Sequence, residues 1–212
     1  MQIVTREYKV YDYVELSADA KETVKQWFLD DDGLRTETFR DIYEDDLRNV
    51  FPDSKLKIEF SLNYCQGDGL NIYGDLNINN ILNLPNSGFC GNTFDNLIDY
   101  FTEKELRTIR HYIDECGEDI TLPQNRWYFY CCVDRINMDE WSAPLWSAGF
   151  RHINEELIGK LKKYIVKIIS YFCKEYENYG YDYLYNVDDE EMQETCEVNS
   201  WKFFENGKYF SM

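Results

Sequence analysis

Leu56-Lys57-Ile58-Glu59-Phe60-Ser61-Leu62-Asn63-Tyr64, Cys65-Gln66-Gly67-Asp68-Gly69, and Leu70-Asn71-Ile72 running on to Leu76-Asn77-Ile78 form the stretch that decides the fold class. In its first arm Leu56, Ile58, Phe60, Leu62 and Tyr64 alternate with Lys57, Glu59, Ser61 and Asn63, the period of a strand with one buried face. Asp68-Gly69 suits the turn, because glycine tolerates positive φ and an aspartate can bond to neighbouring backbone. Residues 56–78 therefore predict two half-buried antiparallel strands joined by a tight turn.

On the N-terminal side, Ser17 is an N-cap for a helix carrying Ala20, Val24, Trp27 and Phe28. Gly33, after the Asp30-Asp31-Asp32 run, reads as its end. A second helix covers Ile42 to Phe51 and is stopped by Pro52. On the C-terminal side a helical stripe from Phe94 through Leu106, Ile109 and Ile113 runs out at Gly117, and a third strand follows Pro123, with Trp127, Phe129, Cys131 and Val133 alternating with Tyr128, Tyr130 and Cys132. The longest helix is expected from an Asn154 cap to about Tyr176, with Leu157, Leu161, Ile165, Ile168, Ile169 and Phe172 inward and a basic face of Lys160, Lys162, Lys163 and Lys167. Trp201 to Phe210 reads as a last hairpin or edge strand. The sum is an α+β fold, an antiparallel sheet with helices packed mainly on one face. We expect a single domain over residues 1–212 with an acidic, tyrosine-rich C-terminal segment, 174–212.

Hydrophobic residues make up 44% of the chain and aromatics 17%, too much core-forming material for a disordered polymer. Against 22 basic residues stand 40 acidic ones, a formal charge of -18. Such a surface repels phosphate backbones, so direct nucleic-acid binding is not expected and a basic protein partner is the natural counterpart. The bland reading, that the acid keeps the protein dissolved, has equal standing. The start, Met1-Gln2-Ile3-Val4-Thr5-Arg6-Glu7, has no basic segment leading into an apolar one, and the most apolar window, Tyr164 to Phe172, is short and interrupted by Lys167. No membrane association is expected, and the seven scattered cysteines read as reduced, mostly buried small hydrophobes of a cytoplasmic protein.

Further segments carry a resemblance: Val10-Tyr11-Asp12-Tyr13-Val14-Glu15-Leu16-Ser17 with Ala20-Lys21-Glu22, then Phe60-Ser61-Leu62-Asn63-Tyr64-Cys65-Gln66-Gly67-Asp68-Gly69, Lys174-Glu175-Tyr176-Glu177, the acidic Asp188 to Glu191, and Phe203-Phe204-Glu205-Asn206-Gly207-Lys208. With these the chain resembles a widespread family of uncharacterised phage and prophage proteins, some labelled as the antitoxin of a toxin–antitoxin stability system. The Ser-x-x-Tyr-x-Gln-Gly-Asp-Gly segment is the most specific part. The resemblance implies a phage or mobile-element origin, hence a bacterial host cytoplasm. Relatives often place histidines where this chain has Trp127 to Cys132.

No catalytic, metal or cofactor signature emerges. Asp68 between two glycines could act as a base or bind a cation, but turn geometry accounts for it, and Gln66 with Asp68 and Asn71 could instead form a polar recognition tip. His111 and His152 lie at no ligand spacing, and adjacent Cys131 and Cys132 are not a metal clamp. Trp141, Trp146 and Phe150 around Pro144 suit either recognition or core-edge packing. The stronger recognition candidate is Tyr179, Tyr181, Tyr183 and Tyr185 interleaved with Asp182 and followed by Asp188, Asp189, Glu190 and Glu191, rings beside negative charges as in nucleic acid. These residues suggest a phage-encoded binding protein, anti-CRISPR-like or antirestriction-like, that inhibits a nuclease or effector complex of bacterial defence. The alternatives are an antitoxin-like subunit whose acidic tail beyond Asp188 orders only on a basic toxin, and an enzyme without recognisable motif.

Overall fold

The computed structural model describes residues 6–30, 32–84, 100–124, 131–138 and 155–211. Along the chain lie α1 (Ala18–Leu29), α2 (Asp32–Val50), β1 (Lys55–Ser61), β2 (Gly69–Asn77), α3 (Ile78–Asn83), α4 (Glu103–Cys116), β3 (Asp119–Leu122), α5 (Glu155–Tyr185) and α6 (Asp189–Val198). They form an α+β protein folded into two compact units. One comprises residues 40–180, and the other joins residues 1–39 to 181–212.

The larger unit holds the sheet, ordered β1-β2-β3 and antiparallel throughout. Ile58 pairs with Ile72 and Phe60 with Leu70, while Leu76 pairs with Ile120 and Gly74 with Leu122. This register gathers Leu56, Ile58, Leu70, Ile72, Leu76, Ile120 and Leu122 on one buried face. Lys57, Asp75 and Thr121 point to the other side, where they are exposed. Only a glycine fits at Gly74, because its φ is +114° and a Cβ there would meet the Lys55 carbonyl oxygen at 2.3 Å.

The helical core of this unit comes mainly from α5, whose Leu161, Ile165, Ile168 and Ile169 are fully buried. Phe172 meets Phe51 edge to face at 5.3 Å, and Tyr164 meets Phe101 at 5.4 Å. Two polar anchors fix the chain around the sheet. Asn80 accepts from the Asp53 N–H and the Ser54 hydroxyl, and Thr102 and Glu105 cap α4 reciprocally.

The smaller unit is assembled from both ends of the chain. Tyr13, Leu16, Ala20 and Val24 pack with Met192, Cys196 and Phe203, and Trp27, Phe28 and Trp201 close over them. Trp27 stacks on Tyr209 at 4.8 Å and meets Trp201 edge to face at 5.1 Å. Tyr11 pairs antiparallel with Phe203, which pairs with Tyr209, so residues 202–210 are a hairpin as expected. Its Asn206-Gly207 turn needs glycine, because φ is +79° and a Cβ would meet the Ala20 carbonyl oxygen at 2.2 Å.

Several expected boundaries move. Gly33 is the second residue of α2 rather than the end of α1. α2 therefore starts ten residues before Ile42. The third strand lies before Pro123, at Asp119–Leu122. Cys131 and Cys132 are not in a strand, and Val133–Arg135 form a 3-10 turn; residues 127–130 lie outside the described residues. The longest helix continues nine residues beyond Tyr176, and its Asn154 cap lies outside the described residues. The same holds for Phe94, Trp141, Trp146, Phe150 and His152.

Candidate functional site

The acidic surplus is unevenly distributed. The smaller unit carries 17 acidic and seven basic residues, net -10, and the larger unit 23 and 15, net -8 over twice the length. Within the smaller unit α6 concentrates the charge. Met192 and Cys196 are buried in the core, so the helical period turns Glu190, Glu194 and Glu197 outward, spaced four and three residues apart along one exposed ridge. Among the described residues Glu190 and Glu194 make no ion pair. Glu197 accepts from the Gln193 amide at 2.8 Å.

The four consecutive acids do different jobs. Asp188 is the N-cap of α6 and accepts from the Glu191 N–H at 2.8 Å. Asp189 meets the Lys25 ammonium at 2.5 Å and accepts from the Tyr13 hydroxyl at 3.1 Å, and these two partners hold its carboxyl below the ordinary value. Glu191 lies 3.9 Å from the Arg35 guanidinium. Glu190 is the member of the run that faces outward without such an anchor.

The tyrosines also separate. Because 179–185 is helical, Tyr181 and Tyr185 come one above the other, with ring centroids 6.3 Å apart and near-parallel planes. Tyr185 is exposed and Tyr181 half-buried. Tyr183 turns inward: the Arg35 guanidinium lies 4.7 Å from its ring and 4.7 Å from that of Phe28, and donates to the Tyr183 and Asn186 carbonyls. Asp182 accepts from the Asn186 amide at 2.8 Å. Tyr179 is exposed and belongs to the larger unit, where its ring faces that of Tyr43.

Gln66 and Asp68 also belong to the larger unit. Asp68 accepts from the Ser61 hydroxyl at 2.7 Å and from the Asn63 and Cys65 N–H groups at 2.7 and 2.6 Å. Burial acts to raise its pKa, but the three donors outweigh it and leave the carboxyl below its ordinary value. Asp68 is thus the clasp of the β1–β2 turn. Gln66 is exposed at the tip, whereas Asn71 is buried, donating to the Pro123 carbonyl and accepting from the Cys132 N–H.

Arg35, Lys25 and Cys173 were not singled out from the sequence. Arg35 carried no local signal, since only the fold brings it to residues 183–191. Cys173 sits inside an apolar helical stripe and reads there as packing. Its thiol is buried, and the half-buried Cys131 sulfur meets the Ser170 hydroxyl at 3.7 Å. Among the described residues no group of three or more His, Cys, Asp or Glu side chains is arranged to hold a metal, and no helix is long and apolar enough to cross a membrane. No protein-family model matches the chain, and neither does any curated protein or solved structure.

Proposed function

We propose that this chain is an acidic binding protein of phage or mobile-element origin that inhibits a nucleic-acid-handling complex of bacterial defence, docking its smaller unit on a basic channel of that complex. One observation carries the reading. A unit of some seventy residues holds a net charge of -10 and presents both a ridge of glutamates at helical spacing and an exposed Tyr185 ring. Carboxylates of this kind meet Lys and Arg side chains that would otherwise hold phosphates, and a tyrosine adds rigid contact area with a polar handle. The recognition set narrows to Tyr181, Tyr185, Glu190, Glu194 and Glu197. Asp188, Asp189, Tyr183 and Asp68 have internal work.

The antitoxin alternative asks for a tail without structure before binding. Residues 188–211 instead form α6 and a hairpin whose Phe203 is fully buried, which favours the defence-inhibitor reading over it.

The test is a pull-down with the intact chain from bacterial lysates expressing candidate defence complexes, followed by a nuclease assay on whatever is retained. A captured nuclease that is inhibited at low salt and released by competing nucleic acid supports the proposal. Capture of a basic toxin in place of a nuclease, or inhibition insensitive to competing nucleic acid, overturns it.

A further inference from the structure

The glutamate ridge of α6 ends at a cavity of the same unit. The hollow measures about 380 Å³, and Glu197, the last glutamate of the ridge, lines it together with Gln193, Ser200, Asp12, Val14 and Trp201. Its charge balance is negative, because Asp12 and Glu197 set two carboxylates against one ammonium, that of Lys202, which Asp12 already holds in an ion pair. Glu197 takes the Gln193 amide on one oxygen at 2.8 Å and is exposed, so its other oxygen can accept from a ligand. The C-terminal end of α6 adds the negative pole of the helix dipole, and the last turn carries no basic residue to answer it. Trp201 is half-buried and meets Trp27 edge to face at 5.1 Å, which gives the wall a stiff aromatic member.

We infer that this cavity is a slot for an arginine side chain, whose guanidinium donates to the Glu197 carboxylate and stacks on the Trp201 ring. That the arginine belongs to a nucleic-acid-handling complex rests on the function proposed above; the chemistry of the slot does not. A guanidinium carries the charge the cavity calls for and holds its donors in one rigid plane, suited to a carboxylate. It is also weakly hydrated, so it lies against an aromatic ring where an ammonium keeps its water. The volume lies in the range of about 300–1,000 Å³ usual for small-ligand sites, more room than an ammonium alone needs.

The unit already receives one guanidinium in this manner. Arg35 lies 4.7 Å from the rings of both Phe28 and Tyr183, donates to two backbone carbonyls and has Glu191 at 3.9 Å. Another cavity of the unit, lined by Lys9 and Lys208 with Glu205, has the opposite balance of charge and provides an internal control. In the complex the two parts of α6 act at different ranges. The ridge steers a basic surface from a distance, and the slot then holds one arginine that would otherwise clamp a phosphate.

The experiment uses the intact chain and needs no partner. N-acetyl-arginine amide is titrated into isotopically labelled protein and followed by the NMR shifts of amide and indole groups. Saturable shifts should gather at Gln193, Ser200 and the Trp201 indole and leave Lys208 unmoved. The dissociation constant should be on the order of 1 mM, about tenfold below that of N-acetyl-lysine amide. Glu197→Gln removes the acceptor and Val14→Trp fills the mouth, and each should weaken binding at least about fivefold. Both positions are exposed, so the fold should survive either change. Shifts spread along the whole acidic surface, an equal response to the lysine analogue, no saturation, or wild-type binding by Val14→Trp overturns the inference. If the arginine analogue binds as stated while no defence complex is captured, the slot stands and the proposed partner falls. If a nuclease is captured and Val14→Trp inhibits it as well as the wild type does, the slot falls and the partner stands.

Discussion

Lys25 of α1 lies 2.5 Å from the carboxylate of Asp189, the first residue of α6, and this pair spends one of the four consecutive acids on holding the smaller unit together. Asp189→Asn should therefore lower the melting temperature, whereas Glu190→Gln should not. The sign with pH follows from the direction of the shift. The Asp189 pKa is depressed, first by the hydrogen bond from Lys25 and then by Tyr13, so its contribution is present above the ordinary carboxylate value and is lost as pH falls through the depressed one. Thermal melts at pH 7 should separate wild type from Asp189→Asn, and the two should converge as pH falls through the depressed carboxyl value.

The glutamates proposed to meet a partner can be neutralised without touching the charge that holds the fold. Neutralising residues 188–191 together would also strip the Lys25 pair and the charge at the α6 cap. Glu190→Gln, Glu194→Gln and Glu197→Gln together spare both. On an identified partner, this variant should associate at least roughly tenfold more slowly at low salt with its melting temperature unchanged, and the difference should shrink as added salt shortens the screening length to about 8 Å and below. Stopped-flow association at two ionic strengths measures it. Equal rates at both would leave the ridge a solubilising surface.

Glu105 joins two helices: it closes the α4 capping box with Thr102 and accepts from the Lys160 ammonium of α5 at 2.9 Å. The Thr102 N–H, the Lys160 ammonium and the Thr102 hydroxyl together draw its carboxyl down to about 2. Its folded pKa being depressed, the stabilisation is complete above the unfolded value and fades as pH falls toward 2. Glu105→Gln should cost about 1 kcal/mol at pH 7 and almost nothing near pH 2, read by urea denaturation at the two pH values.

Asp68→Ala leaves the Asn63 and Cys65 N–H groups and the Ser61 hydroxyl without their acceptor. A loss of about 1–3 kcal/mol is expected, as for hydrogen bonds to a charged group. If the same variant kept full stability but lost partner binding, Asp68 would belong to a recognition tip instead.

Gly207→Ala places a methyl group where the Ala20 carbonyl oxygen sits and forces a positive φ on a residue with a Cβ. A cost of about 2 kcal/mol or more should appear, and the Trp27–Tyr209 stack makes tryptophan fluorescence the natural readout.

The pairing of the two strands was legible because Leu56 to Phe60 repeats every two residues, a local signal, but the tight turn expected at Asp68-Gly69 is a loop over residues 62–68, and Tyr64, expected on the buried face, is exposed beyond the end of β1. The boundaries that moved depend on tertiary context. Gly33 looks like a stop until α2 is seen to begin beside it, and an apolar pattern cannot say how far α5 continues once tyrosines replace isoleucines. The candidate site was legible in composition but not in geometry. The acids at 188–191 are neighbours in sequence, yet their division into cap, ion pair and free carboxylate depends on Lys25, Tyr13 and Arg35, more than 150 positions away. Glu194 and Glu197 went unremarked because their exposure follows only once Met192 and Cys196 are known to be buried.

Tyr11 exchanges two backbone hydrogen bonds with Phe203 across 192 positions of chain. At typical synthesis rates of ~5–20 residues per second, the first of these strands waits roughly 10–40 s for its partner to be made. Residues 40–180 are all synthesised within that interval. The chain's assembly order is therefore written into its connectivity: the middle can consolidate while the beginning is still unpaired. A nascent protein that stalls before Phe203 carries its N-terminal aromatics uncovered, open to chaperones and proteases.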